Sequence, residues 1–169
     1  MRRVAVLGPS GSGKTTVGKA IASRLGVPFV ELDALHWGPG WTEATPEELR
    51  ARVEPIVATG AWVIDGSYRG KIGNLVLEQA ELIVWLDISF SVTFPRLFRR
   101  TVSRIARREE FLNGNRESVR SAFLSRDSIL LFALTYHSAR RRRYASDLPR
   151  DRLVRLRTQG EVDRFLRGL

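Results

Sequence analysis

A chain of 169 residues is long enough to form one domain with its own core, and it needs no covalent staple. It contains no cysteine, which excludes disulfides, a catalytic thiol and a cysteine-ligated zinc, and it has no apolar run of about 18 residues that could span a membrane. The net charge of +10 is unevenly placed: residues 1–87 carry a net −1 and residues 88–169 a net +11, so a polyanion would meet the second half. The chain enters its first strand within a few residues, without the regions of a signal peptide, and a cytoplasmic location is expected.

Arg3–Leu7 is a short apolar run rich in β-formers. It leads into Gly8-Pro9-Ser10-Gly11-Ser12-Gly13-Lys14-Thr15, which matches the phosphate-loop pattern G-x-x-x-x-G-K-[ST]. A helix follows over Lys14–Leu25, with Val17, Ala20, Ile21 and Leu25 at helical spacing and Gly26 as its C-cap. Strand, loop and helix in that order are the context the pattern requires. A chance match in a chain of this length is on the order of one in a hundred. The glycines let the backbone curl so that successive N–H groups point inward, at the positive end of a helix. Lys14 then reaches the β- and γ-phosphates of a nucleotide, and the Thr15 hydroxyl is placed to ligate Mg²⁺. The expected donor is ATP, bound by Gly8 through Thr16.

Val27–Leu32 reads as a second strand, and Asp33–Trp41 as a loop carrying Trp37 and Trp41. Thr45-Pro46-Glu47-Glu48 is a helix start with a capping box, and that helix runs to about Ala58. Ala61–Asp65 is a third strand, Gly66–Gly70 a turn and Ile72–Gln79 a short helix. Glu81–Asp87, nearly continuous in apolar residues, is a strand buried on both faces. A helix over Ser91–Arg107 leads to a polar, mobile segment, Glu109–Arg120, and then to a helix over Asp127–Arg143 with a basic end. Arg152–Leu156 is the fifth strand, and Thr158-Gln159-Gly160-Glu161 is a second capping box opening the last helix. Strands alternating with helices predict a single α/β domain over residues 1–169: a five-stranded parallel sheet of order 2-3-1-4-5 with helices on both faces. Ligands bind at the carboxyl ends of such strands, where Asp33, Asp65 and Asp87 lie.

Asp65-Gly-Ser-Tyr-Arg69 resembles the Asp-Gly-Phe-Pro-Arg signature of adenylate kinases and related nucleoside monophosphate kinases. The resemblance implies that Asp65 serves the hydration shell of Mg²⁺ and that Arg69 binds the acceptor's phosphate. Ser67-Tyr68 replaces Phe-Pro, which bears on how Arg69 is aimed. Leu82–Asp87 also passes as a metal-side strand, but in the kinase-like topology the acid lies on the strand before it, so Asp65 is preferred to Asp87. Arg96 and Arg100, four residues apart on one helical face, match the adenylate-kinase arginines at the opening of the lid, one beside the adenine and one on phosphate. The lid would be residues 107–126, with Arg116, Arg120 and Arg126. Gln159, at the start of the last helix, completes the expected nucleotide-binding set.

Glu31-Leu-Asp33 is similar to the Asp-x-Asp of shikimate kinases, which binds substrate hydroxyls near the metal, and Asp33-Ala-Leu-His36 resembles the Asp-x-Leu-His of gluconate kinases. Asp33 could then accept or orient an acceptor hydroxyl. Taken as a structural residue only, His36 would be a surface-loop histidine and the two tryptophans would be packing. Over nearly its whole length the chain resembles the small P-loop kinases labelled DNA topology modulation proteins, though none of these residues shows action on DNA topology. The expected activity is ATP-dependent phosphorylation of a small acceptor, a nucleoside or nucleoside monophosphate, or alternatively a hydroxylated metabolite such as a sugar acid. A regulatory, nucleic-acid-associated ATPase is the alternative of another class. No membrane, at most weak and salt-sensitive nucleic-acid binding, and a monomer or dimer are expected.

Overall fold

The structure, a computed structural model, describes residues 1–119, 122 and 128–169. Five parallel strands form its centre: β1 (Arg3–Leu7), β2 (Phe29–Glu31), β3 (Trp62–Asp65), β4 (Leu82–Leu86) and, after a two-stranded hairpin of β5 (Glu110–Phe111) and β6 (Asn115–Arg116), β7 (Leu153–Leu156). Their order is β2-β3-β1-β4-β7. This is the order expected from the sequence, with β7 as the fifth strand of the sheet. Pairing Val6 with Asp65, and Glu31 with Asp65, brings the carboxyl ends of β1, β2 and β3 level.

Eight helices surround the sheet among the described residues: α1 (Lys14–Leu25), α2 (Leu32–His36), α3 (Pro46–Val57), α4 (Arg69–Ile72), α5 (Leu75–Gln79), α6 (Phe90–Arg107), α7 (Ile129–Asp147) and α8 (Gln159–Arg167). Alternate strand residues go to opposite faces. Ala5, Leu7, Trp62, Ile64, Ile83 and Trp85 pack with Leu49 and Val53 of α3 and Val76 and Leu77 of α5. Val4, Val6, Val63, Val84 and Leu86 pack with Val17 and Ile21 of α1 and Val162 of α8. Each such side chain contributes about 1.5–3 kcal/mol when fully buried, and β1 and β4 bury theirs on both faces.

Four elements differ from the sequence reading. The turn and single helix expected over Gly66–Gln79 are two short helices, α4 and α5, separated at Gly73, whose φ of 65° ends the first. Leu32–His36, expected as strand end and loop, is one short helix, because Leu32 and His36 lie on the same inward face and are both buried. The helix expected to end at Arg143 continues to Asp147, since Tyr144 and Leu148 still pack on the core. Residues 110–116 form a hairpin with Leu112, Asn113 and Gly114 at positive φ in its turn, the conformation that Asn-Gly favours. The lid arginines Arg120 and Arg126 lie outside the described residues.

Both expected helix starts are present, one completely. The Thr45 hydroxyl accepts from the Glu48 N–H and Glu48 accepts from the Thr45 N–H. At α8 the Thr158 hydroxyl accepts from the Glu161 N–H, but Glu161 reaches back to the N–H of Arg157 rather than of Thr158. Replacing Thr45 with alanine should cost about 1 kcal/mol and lower the melting temperature by about 2–4 °C. Calorimetry checks this; an unchanged melting temperature would show that the cap adds nothing to α3.

Candidate functional site

The loop from Gly8 to Thr15 sits between β1 and α1, above the carboxyl edge of the sheet. Two of its glycines are required by geometry. Gly13 is the left-handed N-cap of α1, with φ 89°. Gly11, with φ 83°, lies so close to the carbonyl of Thr93 that no β-carbon fits between them. The first turn of α6 therefore closes on the loop from one side. Ser12 is buried inside the turn with its hydroxyl unpartnered among the described residues. Lys14 folds back along the loop, its Nζ donating to the Pro9 carbonyl at 3.3 Å.

Beside the loop lies a cluster of acids. The Thr15 hydroxyl donates to Asp65 Oδ2 at 2.7 Å and lies 3.5 Å from Glu31 Oε1, and Lys14 Nζ is 3.9 Å from Asp65 Oδ1. Asp65 is only 5% exposed. Burial raises its pKa above the usual carboxylate value; Lys14 and the Thr15 hydrogen bond work against that rise. Glu31 is raised for the same reason, with Asp65 and Asp33 adding to the effect. The ionised forms of both acids are thus undersupplied with positive charge. Hard oxygens from Thr15, Asp65 and Glu31 suit Mg²⁺, and no group of three or more His, Cys, Asp or Glu among the described residues could hold a metal unaided. That fits an ion which keeps several waters and takes other ligands from phosphate.

Asp87 is in a different setting. Its buried carboxylate accepts from Arg141 (2.7 and 3.1 Å) and Arg155 (2.6 and 3.0 Å), with Arg157 at 3.9 Å. Arg155 also stacks on Trp85. Asp87 is an anchor between β4, α7 and β7, and Asp65 is the acid that meets Thr15. Arg141 and Arg143, part of the expected basic helix end, are held by Asp87 and Asp147 respectively.

Asp33 stands in the first turn of α2, exposed, one residue past Leu32 and close to the acid cluster. The Tyr68 hydroxyl donates to its Oδ1 at 2.6 Å. Across from these acids stands Arg100 of α6. Its side chain is exposed, yet the protein packed around it lowers its pKa, with Arg104 adding to the shift; Glu117, Asp33 and Glu31 oppose it. Arg96, one turn earlier, is exposed. Gln159 lies at the start of α8, beyond the end of β7, where it donates to Asp163. Arg69 does not point at Asp33: it bonds Asn74 at 2.8 Å and pairs with Asp147 of α7 at 3.2 Å.

His36 is buried, not a surface-loop residue. Its ring packs on Trp37 and Tyr68, each at 4.8 Å, with Lys71 and Glu43 at its Nε2. Burial, and then Lys71, lower its pKa. Trp37 and Trp41 meet edge to face at 5.5 Å, and Trp41 meets Phe111 of the hairpin in the same way. Asn113 donates to the carbonyls of Ala34 and Trp37, and Asn115 both accepts from the Trp41 N–H and donates to Gly38. The polar segment after α6 is therefore docked on the stretch that carries Asp33. Sequence reasoning missed the Tyr68–Asp33 bond and this docking; the Asn-Gly turn was the available signal for the hairpin.

Residues 4–64 match the family described as ATPase family associated with various cellular activities (AAA). A shikimate kinase from Sulfurihydrogenibium sp. (strain YO3AOP1) is 31% identical over 111 residues, covering 57% of this chain and 67% of that protein. A putative adenylate kinase from Pyrococcus furiosus is 29% identical over 108 residues, covering 60% of this chain and 57% of that protein. The crystal structure of a shikimate kinase from Bacteroides thetaiotaomicron superposes with a TM-score of 0.57 at 20% identity, over 99% of this chain and 95% of that one, and so shares the fold.

Asp65 gives a test with a definite sign. Its pKa is raised in the folded protein, so the stability tied to its protonated form is present in acid and is lost as pH rises through the folded value. Asp65→Asn should therefore raise the melting temperature at neutral pH, lose that advantage toward about pH 4, and abolish Mg²⁺-dependent turnover. Thermal melts across pH read this directly; a destabilised variant at pH 7 would contradict the reading of a cation-starved carboxylate.

Proposed function

The chain belongs to the P-loop kinases, ATP-dependent phosphotransferases of small molecules, and from that premise we propose that it phosphorylates a hydroxyl of a small, hydroxyl-rich acceptor held by Asp33. The observation that carries this is the placement of Asp33. Its carboxylate stands at the carboxyl end of β2, beside Glu31 and Asp65 and across from Arg100, with Oδ2 unbonded among the described residues. A nucleoside or a hydroxylated acid satisfies this arrangement. A nucleoside monophosphate is the second reading, favoured by the likeness of Asp65–Arg69 to the adenylate-kinase signature. It would have to draw Arg69 away from Asp147.

In this reading the N–H groups of the loop and the positive end of α1 hold the donor's phosphates, and Lys14 turns from the Pro9 carbonyl to their β/γ oxygens. Thr15, with Asp65 and Glu31 beside it, would hold Mg²⁺, which would add positive charge at those oxygens. Asp33 orients the acceptor hydroxyl and takes its proton as the oxygen attacks the γ-phosphorus. Arg100 stabilises charge on the transferring group, and the hairpin docked on residues 34–41 acts as the base of a lid that excludes water. Arg96 and Gln159 flank the base of the nucleotide. Every group invoked comes from one chain, so a monomer suffices. Within the family, the topology-modulation branch is the subgroup we favour, acting in the cytoplasm on metabolites.

An acceptor panel tests the proposal, with ATP and Mg²⁺ and adenosine, AMP, shikimate and gluconate in turn. Transfer to one of the unphosphorylated acceptors is expected, with turnover in Lys14→Ala lowered about a hundredfold or more. Lys14→Ala that is folded and fully active would sink the donor site. ATP consumption that responds to DNA and to none of the four would transfer the protein to the regulatory class.

A further inference from the structure

Tyr68 is an unusual residue for its position. It caps α4 in the left-handed region, φ 44° and ψ 38°, a conformation that a bulky aromatic side chain adopts at a cost. Its carbonyl accepts from the N–H groups of Lys71 and Ile72, which fixes the backbone. Its ring lies against buried His36 and packs on the core, which fixes the side chain. Among the described residues, the outward contact these restraints leave it is the hydroxyl on Asp33 Oδ1 at 2.6 Å. Three residues earlier, at the end of β3, Asp65 meets the Thr15 hydroxyl.

A free carboxylate on a short helix rotates about its side-chain bonds and offers either oxygen. Asp33, held at Oδ1, offers Oδ2. Resting on the reading of Asp33 as the acceptor-binding group, we propose that Tyr68 is a positioning residue for phosphoryl transfer: its hydroxyl locks the Asp33 carboxylate so that Oδ2 meets the acceptor hydroxyl. Burial, and then the negative charge of Asp33, hold the Tyr68 proton far more tightly than usual, so the residue remains a donor across the working pH range. Its role is confined to orientation, and the proton of the acceptor passes to Asp33 itself.

The test compares wild type, Tyr68→Phe, Asp33→Asn and the double variant, measuring ATP turnover with adenosine, shikimate or gluconate as acceptor and with water alone as the reference acceptor. Tyr68→Phe keeps the ring on His36 and removes only the hydroxyl. It should lower kcat roughly ten- to a hundredfold, the range for a hydrogen bond to a charged group, and leave the KM for ATP within about twofold. The double variant should be no slower than Asp33→Asn, because the two residues act as one unit. Tyr68→Phe with wild-type kcat beside a crippled Asp33→Asn would overturn the proposal alone, as would losses that multiply fully in the double variant. An Asp33→Asn variant as fast as wild type would remove the acceptor role beneath it, and the proposal with it.

Discussion

Asp65 ends the strand that lies beside β1, and its carboxylate is the point at which the sheet, the phosphate loop and the segment carrying Asp33 come together. The parallel register sets Asp65 level with Val6 on one side and Glu31 on the other, so the Thr15 hydroxyl can bond it as α1 begins. A buried, incompletely neutralised acid at this place is unfavourable to stability. It is tolerated because β1 and β2 on either side and the helices on both faces leave it no other position, with Trp62, Val63 and Ile64 all fully buried. The same poverty of positive charge makes the cluster receptive to a cation arriving with phosphate.

The phosphate loop and the sheet order were legible in the sequence because they rest on local signals, glycine spacing and the alternation of apolar runs with helices. Both Asp65 and Asp87 end strands, so the preference for Asp65 came from the likeness to the kinase signature and not from a local signal. What was not legible arises from contacts between distant segments. Leu32–His36 reads as a loop since five residues carry little helical periodicity, and only the burial of Leu32 and His36 on one core makes it a helix. The hairpin at 110–116 looks polar and mobile until Asn113 and Asn115 are seen bonding a backbone more than 70 residues away. Tyr68 lay inside a recognised signature, yet its bond to Asp33 spans 35 residues and no spacing rule announces it.

The basic second half takes on a specific meaning in the fold. Arg141, Arg155 and Arg157 converge on Asp87; Arg69 and Arg143 share Asp147; Arg104 pairs with Glu117 and stacks on Phe111; and Arg152 bonds the carbonyls of Glu78 and Ala80. Several arginines of the basic half are therefore structural, joining α7 and β7 to the sheet. Arg100 stands apart from these pairs, facing the acids at the mouth of the site.

The central claim is that the loop from Gly8 to Thr15 and the acid on β3 form one donor site. A crystal structure with Mg²⁺ and a non-hydrolysable ATP analogue tests it most directly. The expected result is the β-phosphate among the N–H groups of residues 11–15, Lys14 moved from the Pro9 carbonyl to phosphate oxygen, and the metal on Thr15 with Asp65 reaching it through water, while Asp87 keeps Arg141 and Arg155. A metal bound at Asp87 with Asp65 remote, or a nucleotide seated away from the loop, would contradict it.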